Sequence, residues 1–167
     1  MIFKNLTKKI YKNFFFIFII FLLDRISKLY TIYLSNKFNT SELYNSKFLN
    51  ISLTWNEGIA FGLLSFNRND LYNYVTLIIL AVIFVVFLMM IKSNSFKRIF
   101  LLMIFAGAIC NFYDRIFYKA VPDFIDFHVG EFHWFTFNVA DIFISIGVIC
   151  MILFELIYNK QSDNEKF

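Results

Sequence analysis

The sequence predicts an all-α polytopic membrane protein with four membrane-spanning helices, and three observations carry that reading. Of 167 residues, 59% are hydrophobic, and the mean hydropathy of +0.64 lies well above that of an ordinary soluble domain. The apolar residues are gathered into long blocks separated by polar segments. The charge is also placed with a bias: Lys4, Lys8, Lys9 and Lys12 precede the first block, and Lys92, Lys97 and Arg98 fill the connection after the second. By the positive-inside rule both clusters are cytoplasmic, so the net charge of +4 reports orientation and not a nucleic-acid partner. Cys110 and Cys150 fall in apolar stretches, where a thiol behaves as a small hydrophobe, and no disulfide framework is indicated.

The first block, from Asn13 to Leu23, follows a lysine-rich start as in a secretory signal peptide, but it continues into DRISKLYTIYL with no small-residue cleavage site. The expectation is an uncleaved span over about 10–34. Asp24 and Lys28 interrupt it at i and i+4 on one helical face, in the favourable acid-first order. They are read either as an ion pair that softens mutual burial or as the polar end of a cavity. The segment 35–70 is too long for a simple turn. Within it Leu49–Asn56 alternates apolar and polar residues like a half-exposed strand, then runs into NEGIAFGLL, where Gly58 and Gly62 permit tight backbone geometry and apolar residues can dip into the membrane interface.

Residues 71–91 are uncharged and long enough to cross the hydrocarbon core, a scaffold span. The third span covers about 99–117. Its Ala106, Gly107 and Ala108 permit close helix approach, and Asn111, Asp114 and Arg115 share one face at i, i+3 and i+4. Asp114 and Arg115 are read as a mutual pair or as part of a polar site. The segment 118–138 contains a hairpin pattern: Ile125, Phe127 and Val129 alternate with Asp126 and His128, and Gly130–Glu131 turns into Phe132–Trp134. His128 and His133 lack HExxH or any comparable ligand spacing, so no metal role and no cofactor are expected. The last span covers about 139–158, with Asn138 as its N-cap and Asp141 in its first turn, where the helix dipole alone favours a carboxylate.

Four spans with cytoplasmic termini gather Asp24, Lys28, Asn111, Asp114, Arg115, Asp123, Asn138 and Asp141 at one depth, near the extracytoplasmic surface. A carboxylate in a span is costly and marks a functional site by default. With no serine or cysteine placed beside a histidine, the chemistry on offer is that of two carboxylates sharing a proton, one acting as base and the other as acid. Spacing leaves the pair open among Asp24, Asp114, Asp123, Asp126 and Asp141, though Asp123 and Asp141 each lack a local cation. The competing class is a small proton- or ion-coupled transporter, which would need polar residues through both halves of the bilayer.

The chain also resembles the bacterial lipoprotein signal peptidases, or signal peptidase II. The resemblance rests on DRISK at 24–28, NEGIAFG at 56–62, AGAICNFYDR at 106–115, VPDFIDF at 121–127 and FNVAD at 137–141, five motifs in family order. It implies one membrane-embedded peptidase domain over 1–167, in the inner membrane, with a small extracytoplasmic β-cradle and an interfacial helix. The implied activity is that of an aspartyl endopeptidase cutting diacylglyceryl-modified prolipoproteins before the lipobox cysteine, with membrane lipids as surroundings and globomycin-type peptides as inhibitors. It assigns Asp123 and Asp141 as the catalytic pair, Asp24, Asn56, Asn111, Arg115 and Asn138 as substrate-binding, and Lys28, Gly58 and Asp114 as supporting motif residues. This sequence departs from the family at Pro122, where Val is usual, and at Ala120, Ala106 and Cys110, where glycines are common; Pro122 predicts altered loop geometry before Asp123.

Overall fold

A computed structural model describes residues 2–58, 68–93 and 95–164. Four long helices, α1 (Ile2–Phe38), α2 (Arg68–Lys92), α3 (Ser95–Tyr118) and α4 (Val139–Asn164), alternate with two pairs of strands: β1 (Glu42–Asn45) and β2 (Leu49–Asn56) after α1, β3 (Val121–Val129) and β4 (Phe132–Phe137) after α3. The strands form one antiparallel sheet in the order β1-β2-β3-β4. Helices plus a small antiparallel sheet agree with the expected helical membrane protein carrying a β-cradle. Both anticipated β segments lie in it, and β1 joins them from a part of segment 35–70 in which the sequence pattern marks no strand. Of the NEGIAFGLL run, residues 59–64 lie outside those described, as does any interfacial helix over 59–67.

Helix ends steer the chain into the sheet. Asn39 takes a left-handed φ of 50° after α1, and the Thr40 N–H returns to the Ser35 carbonyl at 3.1 Å, closing a Schellman turn. Lys119, with φ 60°, ends α3 through its N–H to the Arg115 carbonyl at 3.2 Å, the simpler left-handed cap. Pro122 is accommodated because the β3–β4 ladder begins only at Ile125 and Phe137. The proline is paired on the β2 side alone, opposite Trp55, where the missing N–H leaves no gap in the β4 ladder.

Among the described residues, three helical stretches are long and apolar enough to cross a membrane: Tyr72–Lys92, Phe96–Tyr118 and Val139–Ile157. In α1, Lys12 and the Asp24, Arg25 and Lys28 group bracket a shorter apolar run. Many large apolar side chains, such as Phe14, Phe18, Val82, Phe84, Ile149 and Leu153, face outward, the surface a hydrocarbon solvent requires. The interior is thin, with small groups in one cluster and larger aliphatic ones in the other. Ile20, Ala106, Cys110 and Ala140 form one buried cluster, and Val86, Met90, Leu101 and Leu102 another. A Cβ on Gly107 would lie 2.5 Å from the Ala140 carbonyl oxygen, and one on Gly147 would lie 2.7 Å from Ile104 Cγ1, so both glycines set the approach of α3 to α4. Ala106 and Cys110, both fully buried, fill the positions where glycine is common.

Candidate active site

The register of β2 on β3 places the first carboxylate. Thr54 opposes Asp123 and Asn56 opposes Val121, after a bulge between Ile51 and Thr54. Asn56 then reaches Asp123 directly: its Nδ2 donates to Asp123 Oδ2 at 2.9 Å, while its Oδ1 accepts from the Gly58 N–H at 2.8 Å. The second contact fixes which end of the amide faces the acid. Gly58 makes that turn with φ +77°, a conformation few other residues tolerate.

The start of α4 places the second carboxylate. Asn138 is the N-cap, its Oδ1 accepting from the Asp141 N–H at 3.1 Å, and Asp141 Oδ2 accepts in return from the Asn138 N–H at 3.1 Å. This is a reciprocal capping box. The free end of the same cap residue does something more: Asn138 Nδ2 donates to Asp123 Oδ1 at 2.6 Å. One fully buried asparagine therefore connects the helix bearing Asp141 to the carboxylate of Asp123. Capping and membership of a polar site, alternatives for Asp141 in the sequence, are both present.

A second chain of contacts supports Asp141 from below. Asn111 Nδ2 donates to Asp141 Oδ1 at 2.7 Å, and Asn111 Oδ1 accepts from Lys28 Nζ at 2.9 Å. Lys28, with no exposed surface, also contacts Asp24 Oδ1 at 2.9 Å and Asp114 Oδ2 at 2.7 Å, so all three ammonium hydrogens have acceptors. Arg25 pairs with Asp24 at 3.0 Å and with Asp114 at 2.5 Å, and its guanidinium lies over the Tyr113 ring. Two cations and two anions thus form a neutral buried quartet, the condition under which charges are tolerated away from water. Asp24 further accepts from the Ala140 N–H at 3.0 Å, holding the first turn of α4.

Several sequence readings are refined by these contacts. The ion pair within α1 is present, but Asp114 pairs with Arg25 and Lys28 of α1 and not with Arg115. Adjacent residues on a helix point about 100° apart, so only one of the two can face α1. Arg115 instead donates to the Asn111 carbonyl at 3.2 Å and packs near Gly58, within 3.6 Å of where a Cβ would stand. Asp24 is fully buried and committed to Arg25, Lys28 and Ala140, the position of a support for α4. Arg25 was missed in the sequence because the Asp24 and Lys28 pair looked self-sufficient.

Asp123 is 3% exposed, and burial is the chief cause that lifts its pKa to about 6. The hydrogen bonds from Asn138 and Asn56 oppose that rise, and the negative charge of Asp141 adds to it. Beside Asp141 a cavity of about 540 Å³ is walled by Phe127, Trp134, Phe135, Phe137, Ile142 and Ile146. Of the two carboxylates linked through Asn138, Asp141 borders this apolar recess, and Asp123, with its raised affinity for a proton, stands behind it. Such an arrangement suits activation of water against a bond presented by an apolar substrate.

Comparison with known proteins gives a consistent result. Residues 16–157 match the family described as signal peptidase (SPase) II. The chain is 48% identical to the lipoprotein signal peptidase of Pelagibacter ubique, covering 95% of this chain and 96% of that one. It is 36% identical to that of Anaplasma marginale, with coverage of 87% and 85%. Among solved structures it is similar to a bacterial membrane enzyme determined in meso at 1.9 Å, with 27% identity, a TM-score of 0.70 and coverage of 87% and 92%. A second, at 2.3 Å, has 28% identity, a TM-score of 0.68 and coverage of 92% and 90%. With its conserved order of elements and most of its length matched, the chain belongs to the signal peptidase II family and is a membrane peptidase.

Proposed function

We propose that this peptidase is of the aspartic type and removes the signal peptide of prolipoproteins, cutting before the diacylglyceryl-modified cysteine, with Asp123 and Asp141 as its catalytic pair. The observation that carries the reading is the single asparagine, Asn138, hydrogen-bonded to both residues, one of which, Asp141, lines an apolar cavity. In the singly protonated pair, the ionised carboxylate takes a proton from water as the water oxygen bonds to the scissile carbonyl carbon. The protonated partner donates to the carbonyl oxygen. The carbon–nitrogen bond then breaks, and a proton passes to the departing amine. The proton belongs to the pair, and its assignment to one oxygen changes as the reaction proceeds.

The supporting residues act on geometry. Asn56 and Asn138 orient Asp123; Asn111 orients Asp141; Lys28, Arg25, Asp24 and Asp114 hold Asn111 and the start of α4. Arg115 and Asn56 are the substrate-facing candidates. The aromatic wall beside Asp141 suits acyl chains or the apolar signal peptide. In this reading α1 is a fourth span, the termini lie in the cytoplasm of the bacterial cell, the sheet lies at the extracytoplasmic face of the inner membrane, and globomycin-type peptides block the recess. The remote pair Lys97–Glu155 (2.5 Å) is half exposed and lies with the lysine-rich end. Family membership disfavours a transporter, as does the gathering of the buried polar residues under the sheet.

The test is a gel-shift cleavage assay on purified protein in detergent. It uses a diacylglyceryl-modified prolipoprotein, its unlipidated form, and the Asp123→Asn and Asp141→Asn variants in parallel. Cleavage of the lipidated substrate by the parent alone is expected. Turnover by either variant would remove that residue from the pair, and equal cleavage of the unlipidated form would remove the lipid requirement.

A further inference from the structure

The hairpin of β3 and β4 assembles a second cluster of titratable side chains that the peptidase chemistry does not use. His128 and His133 face each other across the two strands, their rings 4.8 Å apart and nearly parallel at 16°. Asp126 lies on the same strand face as His128, and its Oδ2 is 2.8 Å from His133 Nδ1. Strand alternation puts Asp126 and His128 on the face opposite Asp123. The third strand contributes as well: Asn50 of β2 opposes Asp126 and donates to the same Oδ2 at 3.2 Å.

Two features of this cluster go beyond a histidine–carboxylate ion pair. The ligand-capable atoms of Asp126, His128 and His133 all lie within 4.8 Å of one another. Two further polar atoms, His128 Nδ1 and Asn50 Oδ1, are buried without a hydrogen-bond partner, an arrangement that is unfavourable unless a ligand satisfies it. We propose that Asp126, His128 and His133 form a divalent-cation site of the zinc class on the sheet, separate from the catalytic pair. Two imidazoles and one carboxylate are a known zinc donor set, with the fourth position left to water. Bonds of about 2.0–2.2 Å bring tetrahedral ligand atoms to roughly 3.4 Å apart, so the cluster must contract by about 1.4 Å. His133 has the freedom to do this, because its side chain is 51% exposed beside the hairpin turn, whereas Asp126 is held by Asn50. The linear spacing of the three residues carries no metal signature because the site is assembled across a hairpin and not along a helix.

The experiment is calorimetric titration of zinc chloride into the full-length, tag-free, chelator-treated protein in detergent. One saturable site per chain is expected in the parent and in Asp141→Asn alike. His133→Ala and His128→Ala should each weaken binding by at least ~10-fold, and zinc should raise the melting temperature of the parent but not of the doubly substituted protein. His133 is half exposed, so its variant is expected to melt like the parent without zinc, which separates a lost ligand from a lost fold. The proposal is overturned by the absence of saturable binding, by binding that survives loss of both imidazoles, or by binding that is lost in Asp141→Asn and kept in His133→Ala.

Discussion

Replacing Asp123 by Asn should abolish cleavage and at the same time change how stability depends on pH, and the second effect can be worked out from the site. The carboxyl is 3% exposed and its pKa rises from 3.8 to about 6, chiefly through burial. Between those values the folded protein holds a proton that the unfolded chain has released, so stability falls as pH rises. At about 1.4 kcal/mol per pH unit, the contribution present at pH 3.8 and below is reduced by about 3 kcal/mol once pH passes 6. An asparagine does not titrate and removes this slope. The melting temperature of the parent relative to the variant should therefore drop by roughly 6–12 °C from pH 4 to pH 7. Intrinsic fluorescence is a suitable readout, since Trp55 opposes Pro122, the residue before Asp123. Carboxylates not coupled to Asp123 titrate alike in both proteins and cancel in the difference, whereas the smaller coupling to Asp141 is removed with the substitution. A difference that is flat with pH, or that grows in the parent's favour as pH rises, would refute the assignment of a burial-raised pKa to Asp123.

The same displacement predicts that cleavage declines on the alkaline side once the pair has lost its shared proton, with an apparent pKa above the ordinary carboxylate range; a rate still rising from pH 6 to 9 would contradict it. Lys28→Met leaves Asp24 and Asp114 short of a cation and Asn111 short of a donor. It should cost about 3–5 kcal/mol, read as a lower melting temperature together with loss of cleavage. Gly107→Ala places a methyl group 2.5 Å from the Ala140 carbonyl oxygen, one residue from Asp141. A loss of about 1–3 kcal/mol and a fall in kcat are expected, whereas Gly130→Ala, whose Cβ meets nothing within 4 Å but whose φ of +59° strains an alanine, should cost about 1–2 kcal/mol of stability and leave kcat unchanged.

Much of this molecule is legible in local patterns, and what is not has a common cause. The alternation in Leu49–Asn56 and the turn at Gly130 reveal β2 and the β3–β4 hairpin, because each pattern is written within a few residues. β1 leaves no such trace: Glu42–Asn45 is largely exposed on both faces, so neither face selects apolar residues. Asp123 and Asp141 are recognisable as acids without a local cation, yet their common contact depends on Asn138 and on β2 pairing with a strand some 70 positions away, which no local period encodes. Arg25 and Asp114 illustrate the same point. A helical repeat shows which residues share a face, and it cannot show which face the neighbouring helix will meet.

The buried quartet also bears on how the chain enters the membrane. Lys28 and Asp114 are 86 positions apart, so α1 emerges well before its partner on α3 exists. At ~5–20 residues per second the interval is about 4–17 s. During that time the contacts inside α1, Lys28 to Asp24 at 2.9 Å and Arg25 to Asp24 at 3.0 Å, leave one cation excess in an otherwise apolar segment. Asp24 is thus a provisional counter-ion during synthesis. The arrival of Asp114 completes neutrality and gives α1 a reason to settle against α3, so that the order of translation is itself a step in assembling the site.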